Sequence, residues 1–166
     1  MKFSAGEKFF LDPYQLRDVL DQHRERGEKI VFANGCFELL HVGHIRYLRG
    51  AKALGQVLVV AVNTDASMKI IKPERQPPNP DTERYEILAA LEMVDYVVPL
   101  SERTPTDLIG LLRPDVHTKG TDYRDRPIPE SEIVEAYGGR VALVGDEKNH
   151  STTDILRKLR SSKLTQ

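Results

Sequence analysis

Short apolar segments rich in β-branched residues recur along the chain, and segments with helical features separate them. Apolar runs of about five residues bounded by turn residues are typical of strands buried on both faces. Strands that alternate with helices favour a parallel sheet with right-handed crossovers. We therefore predict an α/β fold, a Rossmann-like doubly wound parallel sheet of about five strands with helices on both faces. The predicted strands are 29–37, 57–62, 96–99, 115–119 and 140–144, and the helices after the first strand are 42–54, 81–91, 106–112, 130–137 and 151–159.

An additional helix precedes the first strand. Asp12 is a suitable N-cap, Pro13 suits the first helical position, and Gly27 is a suitable end. We divide the chain into an N-terminal helical extension at 1–28 and a main domain at 29–166, within one globular unit. The helix can pack on this chain or on a second copy, so a homo-oligomer stays open.

The charge balance argues against two classes of partner. The net charge of −1 disfavours nucleic acid and anionic membranes as partners. No apolar run approaches the length of about 18 residues expected of a membrane span, and the N-terminus lacks the apolar core of a secretory signal. The single cysteine, Cys36, permits no internal disulfide and fits a reducing compartment. We expect a cytoplasmic protein.

The sequence His41-Val42-Gly43-His44 follows the first predicted strand. The two histidines are three positions apart at a helix start, so they share one face, and Gly43 lets a ligand approach the backbone. A helix N-terminus favours phosphate through its N–H groups and its dipole. Ordinary surface or capping histidines are one alternative. A metal site is another, but no Cys or Glu-x-x-His pattern accompanies the pair, and we assign no protein metal ligand.

This segment resembles the HxGH signature of the cytidylyltransferase-like nucleotidyltransferase superfamily, and the resemblance extends over about 30–159. Within the superfamily the chain most resembles the heptose 1-phosphate adenylyltransferases. The segments that carry the resemblance are Asn34-Gly35-Cys36-Phe37, Val62-Asn63-Thr64-Asp65, Lys72-Pro73, Arg84 with Leu88, Val94-Asp95-Tyr96-Val97, Lys119-Gly120-Thr121-Asp122-Tyr123, Gly138-Gly139-Arg140-Val141 and Ser151-Thr152-Thr153. The chain departs from that family's pattern at Glu38, where Asp is common, at His117-Thr118, where Leu-Val is common, and at Asn149-His150, where Gly-Tyr is common.

The resemblance implies transfer of AMP from ATP, carried with Mg²⁺, to a sugar 1-phosphate, with ADP-heptose and pyrophosphate as products. His41, His44 and Lys119 are the implied catalytic residues, which stabilise charge during attack on the α-phosphorus. The implied nucleotide-binding residues are Asn34, Gly35, Cys36, Phe37, Gly43, Lys72, Arg84, Gly120, Ser151, Thr152 and Thr153. The implied substrate-binding residues are Glu38, Asn63, Asp65, Asp122 and Tyr123.

Several of these residues have simpler interpretations. Lys119 and Arg84 can be solvated side chains, and Ser151 can be a plain N-cap. Asp65 can cap a short helix. The segments 63–80 and 120–129 are predicted loops, and 69–80, which contains Lys72 and Arg75, is a candidate mobile lid over the triphosphate. We interpret Cys36 as a small buried residue.

Two other functions stay open. One keeps the reaction but uses CTP with glycerol 3-phosphate or an amino-alcohol phosphate. The other is a nucleotide-binding module without turnover.

Overall fold

A computed structural model of the chain describes residues 8–74, 76–146 and 151–162. The described helices are α1 (Pro13–Glu25), α2 (Val42–Lys52), α3 (Asp65–Ile71), α4 (Asp81–Ala89), α5 (Thr106–Leu112), α6 (Ser131–Ala136) and α7 (Thr152–Ser162), with a short 3₁₀ helix at Thr121–Tyr123. The strands are β1 (Ile30–Gly35), β2 (Val57–Asn63), β3 (Tyr96–Leu100), β4 (Val116–Gly120) and β5 (Arg140–Val144).

The strands form one five-stranded sheet in the order β3-β2-β1-β4-β5, and every neighbouring pair is parallel. The chain first builds outward from β1 to β3 and then returns to the other side of β1. The strand order therefore reverses between β1 and β4, and ligands of such sheets bind outside the carboxyl ends of the strands at this point. The predicted fold class is confirmed.

Alternate residues of the central strands face two apolar layers. Val31 and Ala33 contact one layer with α2 and α4, whereas Ile30 and Phe32 contact the other with α1, α5 and α6. Every residue of β2 is buried, as expected for a central strand of a sheet covered on both sides. No described helix has the length and apolar character needed to cross a bilayer.

Helix α1 packs on this chain. The Asp12 carboxylate accepts a hydrogen bond from the Tyr14 backbone N–H, as expected of an N-cap. Leu16 and Leu20, one turn apart, are fully buried in the same apolar layer as α5. Helix α1 therefore packs against its own chain.

The prediction of a loop at 63–80 is wrong for its first half, which contains α3. Thr64 caps this helix by accepting from the Ser67 N–H at 3.0 Å, and Met68 is fully buried. Ser67 Oγ also donates to the Leu100 carbonyl at 2.9 Å, across to β3. One buried apolar residue and contacts to another strand stabilise a helix too short for periodicity to reveal. Arg75 lies outside the described residues.

Smaller differences occur at element ends. The predicted loop at 120–129 begins with the 3₁₀ helix, and β1 ends at Gly35 rather than at residue 37. The second helix ends at Lys52 and the fourth at Ala89, two residues earlier than predicted, whereas α7 continues to Ser162.

Arg84 on α4 is fully buried, so its interpretation as a solvated arginine is wrong. Its guanidinium donates to the carbonyl of Cys36 at 2.5 Å and to the carbonyl of Asn63 at 2.8 Å. It also pairs with Asp65 Oδ1 at 2.7 Å and donates to the Asn79 carbonyl at 3.3 Å. Arg84 therefore joins the ends of β1 and β2 to the start of α3.

His117 on β4 is fully buried beside the Phe32 ring, with 5.6 Å between the ring centroids. Its ring nitrogens are buried, and the backbone of Phe32 interacts with the ring in the direction that favours the protonated form. Burial lowers the pKa of His117 to about 4, and the positive charge of Lys119 adds to this, while Glu130 acts in the opposite direction. The imidazole is therefore neutral in the folded protein at neutral pH.

We expect Arg84→Met to lower the free energy of unfolding by about 3–5 kcal/mol, because it leaves buried carbonyls and a carboxylate without their donor. Arg17→Met on α1 is the control and should change the free energy of unfolding much less, because the Arg17 side chain is exposed. Urea unfolding measures both. A cost for Arg84→Met as small as that of the control would contradict the anchoring role.

We expect the free energy of unfolding to fall as the pH decreases from about 6.5 to about 4, because the unfolded chain binds a proton at His117 that the folded chain does not. Above this window the ring is neutral in both states and its contribution is constant. One such proton gives a slope of at most about 1.4 kcal/mol per pH unit. His117→Leu should flatten the slope in urea unfolding across this window, and a variant with the wild-type slope would show that the prediction is wrong.

Candidate active site

A cavity of about 670 Å³ opens at the carboxyl ends of the strands. It lies where the strand order reverses, which is the place that the topology predicts for a ligand. The cavity brings together most of the residues singled out in the sequence. These are Asn34, Gly35, Cys36, Phe37, His41, Gly43, His44, Asn63, Lys72, Lys119, Gly120, Asp122, Tyr123, Ser151, Thr152 and Thr153.

The turn after β1 is sharp. Phe37 has a positive φ of 46°, a conformation that residues other than glycine rarely adopt. A Cβ atom on Gly35 would lie 3.1 Å from the Phe37 ring, so the turn favours a glycine at that position. The Phe37 ring is buried and lies 5.0 Å from the His44 ring, centroid to centroid. The strained turn is thus held by packing and directs the chain into α2.

The two histidines stand at the start of α2, as predicted. His41 is the N-cap, and its ring stacks on that of His44 with 3.8 Å between centroids. The His41 backbone N–H donates to His44 Nδ1 at 3.4 Å, an arrangement that places the proton of a neutral His44 on Nε2. Burial lowers the pKa of His44 to about 4, and the neighbouring His41 adds to this. At neutral pH, His44 is therefore a neutral N–H donor.

The end of β4 supplies Lys119, whose side chain is only 10% exposed. Lys119 Nζ lies 3.2 Å from Glu130 Oε1 and 5.2 Å from the centre of the Tyr123 ring. The next residue, Gly120, precedes a tight turn in which an added Cβ would lie 2.6 Å from Asp122 Oδ1. The turn keeps the ammonium at the cavity wall, with an anion and an aromatic face around it.

The start of α7 reaches the cavity through its hydroxyl residues. Ser151 Oγ accepts from the Asp154 N–H at 3.1 Å and donates to the Asp154 carboxylate at 2.7 Å, so Ser151 does act as a cap. Thr152 Oγ1 donates to the Leu39 carbonyl at 3.4 Å, which links α7 to the segment before α2. Capping does not remove these residues from the cavity, because all three of Ser151, Thr152 and Thr153 line it.

Three residues with implied binding roles lie outside the cavity lining. Glu38 is buried and pairs with Lys72, with 2.5 Å between Oε1 and Nζ. Asp65 and Arg84 pair with each other behind the ends of β1 and β2. Asp65 is the first residue of α3 rather than its cap, which is Thr64. Glu38 and Arg84 thus contact residues that line the cavity, and Asp65 contacts Arg84.

Cys36 is partly exposed in the cavity rather than buried. Its thiol lies 3.7 Å from Asn63 Oδ1, which orients that amide at the end of β2. Within the described ranges, no cluster of three or more His, Cys, Asp or Glu side chains could hold a metal ion.

Other cavity residues were not singled out in the sequence. Those with polar or charged side chains are Tyr47, Arg103, Thr104, Glu130 and Asp146, and the rest are Ile71, Pro105, Pro127, Pro129, Val144 and Gly145. Arg103 and Asp146 follow strands β3 and β5, so the rule that ligands bind beyond strand ends could have identified them. Glu130 belongs to no recognised sequence motif, and its contact with Lys119 forms only in the folded chain.

Comparison with known proteins agrees with the resemblance seen in the sequence. The family described as "Cytidylyltransferase-like" matches residues 32–165. The "Bifunctional protein HldE" of Syntrophotalea carbinolica is 48% identical over 144 residues, which cover 87% of this chain and 29% of that protein. The protein of the same name from Yersinia pestis (strain Pestoides F) is 46% identical over 153 residues, which cover 92% of this chain and 32% of that protein. The chain thus spans about a third of the length of these relatives.

Two solved structures share the fold. The lipopolysaccharide core biosynthesis protein from Thermoplasma volcanium GSS1 has a TM-score of 0.61 and 27% identity, over 74% of this chain and 100% of that one. The pantoate-beta-alanine ligase from Francisella tularensis has a TM-score of 0.60 over 93% of this chain and 77% of that one, and at 15% identity it supports the fold alone. With a family match over most of its length and its HxGH histidines at one cavity, the chain belongs to the cytidylyltransferase-like family of nucleotidyltransferases.

Proposed function

We propose that the chain transfers AMP from ATP to a sugar 1-phosphate, with D-glycero-β-D-manno-heptose 1-phosphate as the acceptor and ADP-heptose and pyrophosphate as products. The observation that carries this proposal is the convergence of His41, His44, Lys119 and the start of α7 on one cavity. The relatives named HldE and the lipopolysaccharide core biosynthesis protein support the choice of acceptor. ADP-heptose would serve lipopolysaccharide or a related glycan.

The proposed reaction is an in-line displacement at the α-phosphorus of ATP. An oxygen of the acceptor phosphate forms the new P–O bond while the bond to the β-phosphate oxygen breaks, and pyrophosphate leaves with its electron pair. The acceptor phosphate is largely dianionic at neutral pH, since its second pKa is about 6. No base is needed, so the protein contributes positioning and charge stabilisation.

The proposed roles follow from the protonation states at the cavity. A neutral His44 donates from Nε2 to a phosphate oxygen, next to the N–H groups at the start of α2. Lys119 supplies a full charge where the transferring and incoming phosphates meet. The hydroxyls of Ser151, Thr152 and Thr153 lie at the same cavity and hold the outer phosphates of ATP in this proposal.

Mg²⁺ accompanies ATP in the proposed reaction and neutralises part of the triphosphate charge. Its ligands are then chiefly phosphate oxygens, with Asp122 as the carboxylate that both lines the cavity and belongs to an implied binding motif. Since the reaction consumes ATP, we propose that the protein acts in the cytoplasm. The net charge of −1 supports the proposal that it has no nucleic-acid partner. A homo-oligomer also stays a proposal.

We propose Arg103 as a contact for the acceptor phosphate. It lies in the loop after β3, lines the cavity and is exposed. Among the cationic residues that line the cavity, Lys72 and Lys119 each pair with a carboxylate, whereas Arg103 makes no ion pair with any residue that the structure describes. A guanidinium without a competing anion suits a phosphate dianion, which it can bind through two parallel hydrogen bonds.

A matrix of ATP and CTP against heptose 1-phosphate, glycerol 3-phosphate and choline phosphate, read by pyrophosphate release, tests the proposed function. We expect release with ATP and heptose 1-phosphate, its loss in excess chelator, and a decrease of about 10²–10³-fold in His44→Ala. His23→Gln, outside the cavity, is the control for the histidine change. Release only with CTP would favour the cytidylyl alternative, and ATP binding without release under any acceptor would favour a binding module.

For Arg103→Gln we expect the KM for the sugar phosphate to rise by about tenfold or more, since a charge-assisted hydrogen bond contributes about 1.5–3 kcal/mol. The KM for ATP and kcat should stay near their wild-type values. The control is Arg17→Gln on α1. A rise confined to the KM for ATP would instead place Arg103 at the triphosphate.

A further inference from the structure

Glu130 occupies an unusual position for a carboxylate. It is the residue before α6, it is only 4% exposed, and it nevertheless lines the cavity. Its Oε1 lies 3.2 Å from Lys119 Nζ, and the two side chains are 5% and 10% exposed. A buried carboxylate is costly unless it is paired, so the contact with Lys119 accounts for its presence there.

The pair also constrains the ammonium. Lysine has a flexible four-carbon side chain and three N–H donors, so by itself it does not define where its charge lies. Glu130 takes one of these donors, and the Tyr123 ring lies 5.2 Å away on another side. Lys119 therefore keeps donors for ligand oxygens, and its Nζ is held at one place in the cavity wall.

Lys119 is the cation that pairs with Glu130, and the neighbouring His117 does not compete with it. His117 lies two residues earlier on the same face of β4, is fully buried, and interacts electrostatically with Lys119 and Glu130. Because burial lowers the pKa of His117 to about 4, it is neutral at neutral pH and does not act as a second cation for Glu130. Glu130 Oε2 has no hydrogen-bond partner within the described part of the chain.

We propose that Glu130 is a positioning residue that holds the Lys119 ammonium at the site of phosphoryl transfer. Its consequence for turnover rests on the function proposed above. Glu130 is not a general base, because the acceptor phosphate has no proton that must be removed before attack. Nor does it bind the phosphates, which it would repel. It acts through Lys119, whose charge in this proposal stabilises the transition state. Loss of Glu130 therefore raises the energy of the transition state more than that of the bound ground state.

A double-mutant cycle of Lys119→Ala, Glu130→Gln and the double variant tests this assignment. Glu130→Gln keeps the size of the side chain and removes its charge. We expect it to lower kcat by about tenfold or more, with the KM for ATP and for the sugar phosphate within about twofold of wild type. In the Lys119→Ala background the same change should alter kcat by less than about twofold, because the residue through which it acts is absent. Glu132→Gln, an exposed carboxylate outside the cavity, is the matched control.

Urea unfolding of the same four proteins gives a readout that does not depend on activity. Glu130→Gln should lower the unfolding midpoint clearly in the wild-type background and much less in the Lys119→Ala background. Additive midpoints, or an equal loss of kcat in both backgrounds, would overturn the proposal. If Glu130→Gln is too unstable for assay, Glu130→Asp, which shortens the reach by one methylene group, replaces it in the cycle with the same expectations.

Failure of the proposed function would appear differently. The wild-type chain would then release no pyrophosphate with any acceptor, and the unfolding cycle alone would decide whether Glu130 holds Lys119.

Discussion

The Arg84 guanidinium is the interaction on which the geometry of the site depends. It holds the carbonyls of Cys36 and Asn63, so the chain leaves β1 and β2 at fixed positions behind the cavity. The turn after β1 then continues through the strained Phe37, whose ring packs against His44. Because the strain is stored between two packed elements, the turn keeps its shape before any ligand binds. The start of α2 is thus set by a side chain that touches neither histidine.

Electrostatic pairing is compatible with the proposed polyphosphate site in a chain of net charge −1. Lys72 pairs with Glu38 and Lys119 with Glu130, and in both pairs the carboxylate is buried. At Lys119, which is 10% exposed, the carboxylate offsets the desolvation of the ammonium, whereas Lys72 is 38% exposed. A local array of cations is compatible with an overall charge near zero. Arg103 differs, since it is exposed and bears its charge without such a partner among the described residues.

The sequence predicts the parts of the molecule that local patterns specify. The strands of the sheet are apolar enough to be recognised one by one, and the HxGH segment lies at the end of the first of them. The failures are tertiary in origin. Helix α3 is stabilised by burial of Met68 and by the bond from Ser67 to β3, which no local pattern reveals. The sequence does not distinguish Arg84 from a surface arginine, because its partners lie at the ends of two strands that only folding brings together. Likewise, no local pattern predicts the contact of Glu130 with Lys119.

The site combines a neutral donor and a positive charge, and the two have different consequences for catalysis. His44 is held neutral by burial, so in the proposed reaction its N–H would stabilise a phosphate oxygen without the strong attraction to bound ATP that an imidazolium would add. Lys119 carries a full charge, but Glu130 already satisfies part of it in the free protein. Because the Lys119 ammonium is already paired with Glu130, its attraction to a phosphate would strengthen most when additional negative charge develops on the phosphate oxygens. In the proposed reaction such an arrangement would restrain ground-state binding of the triphosphate and reserve the electrostatic gain for the transition state.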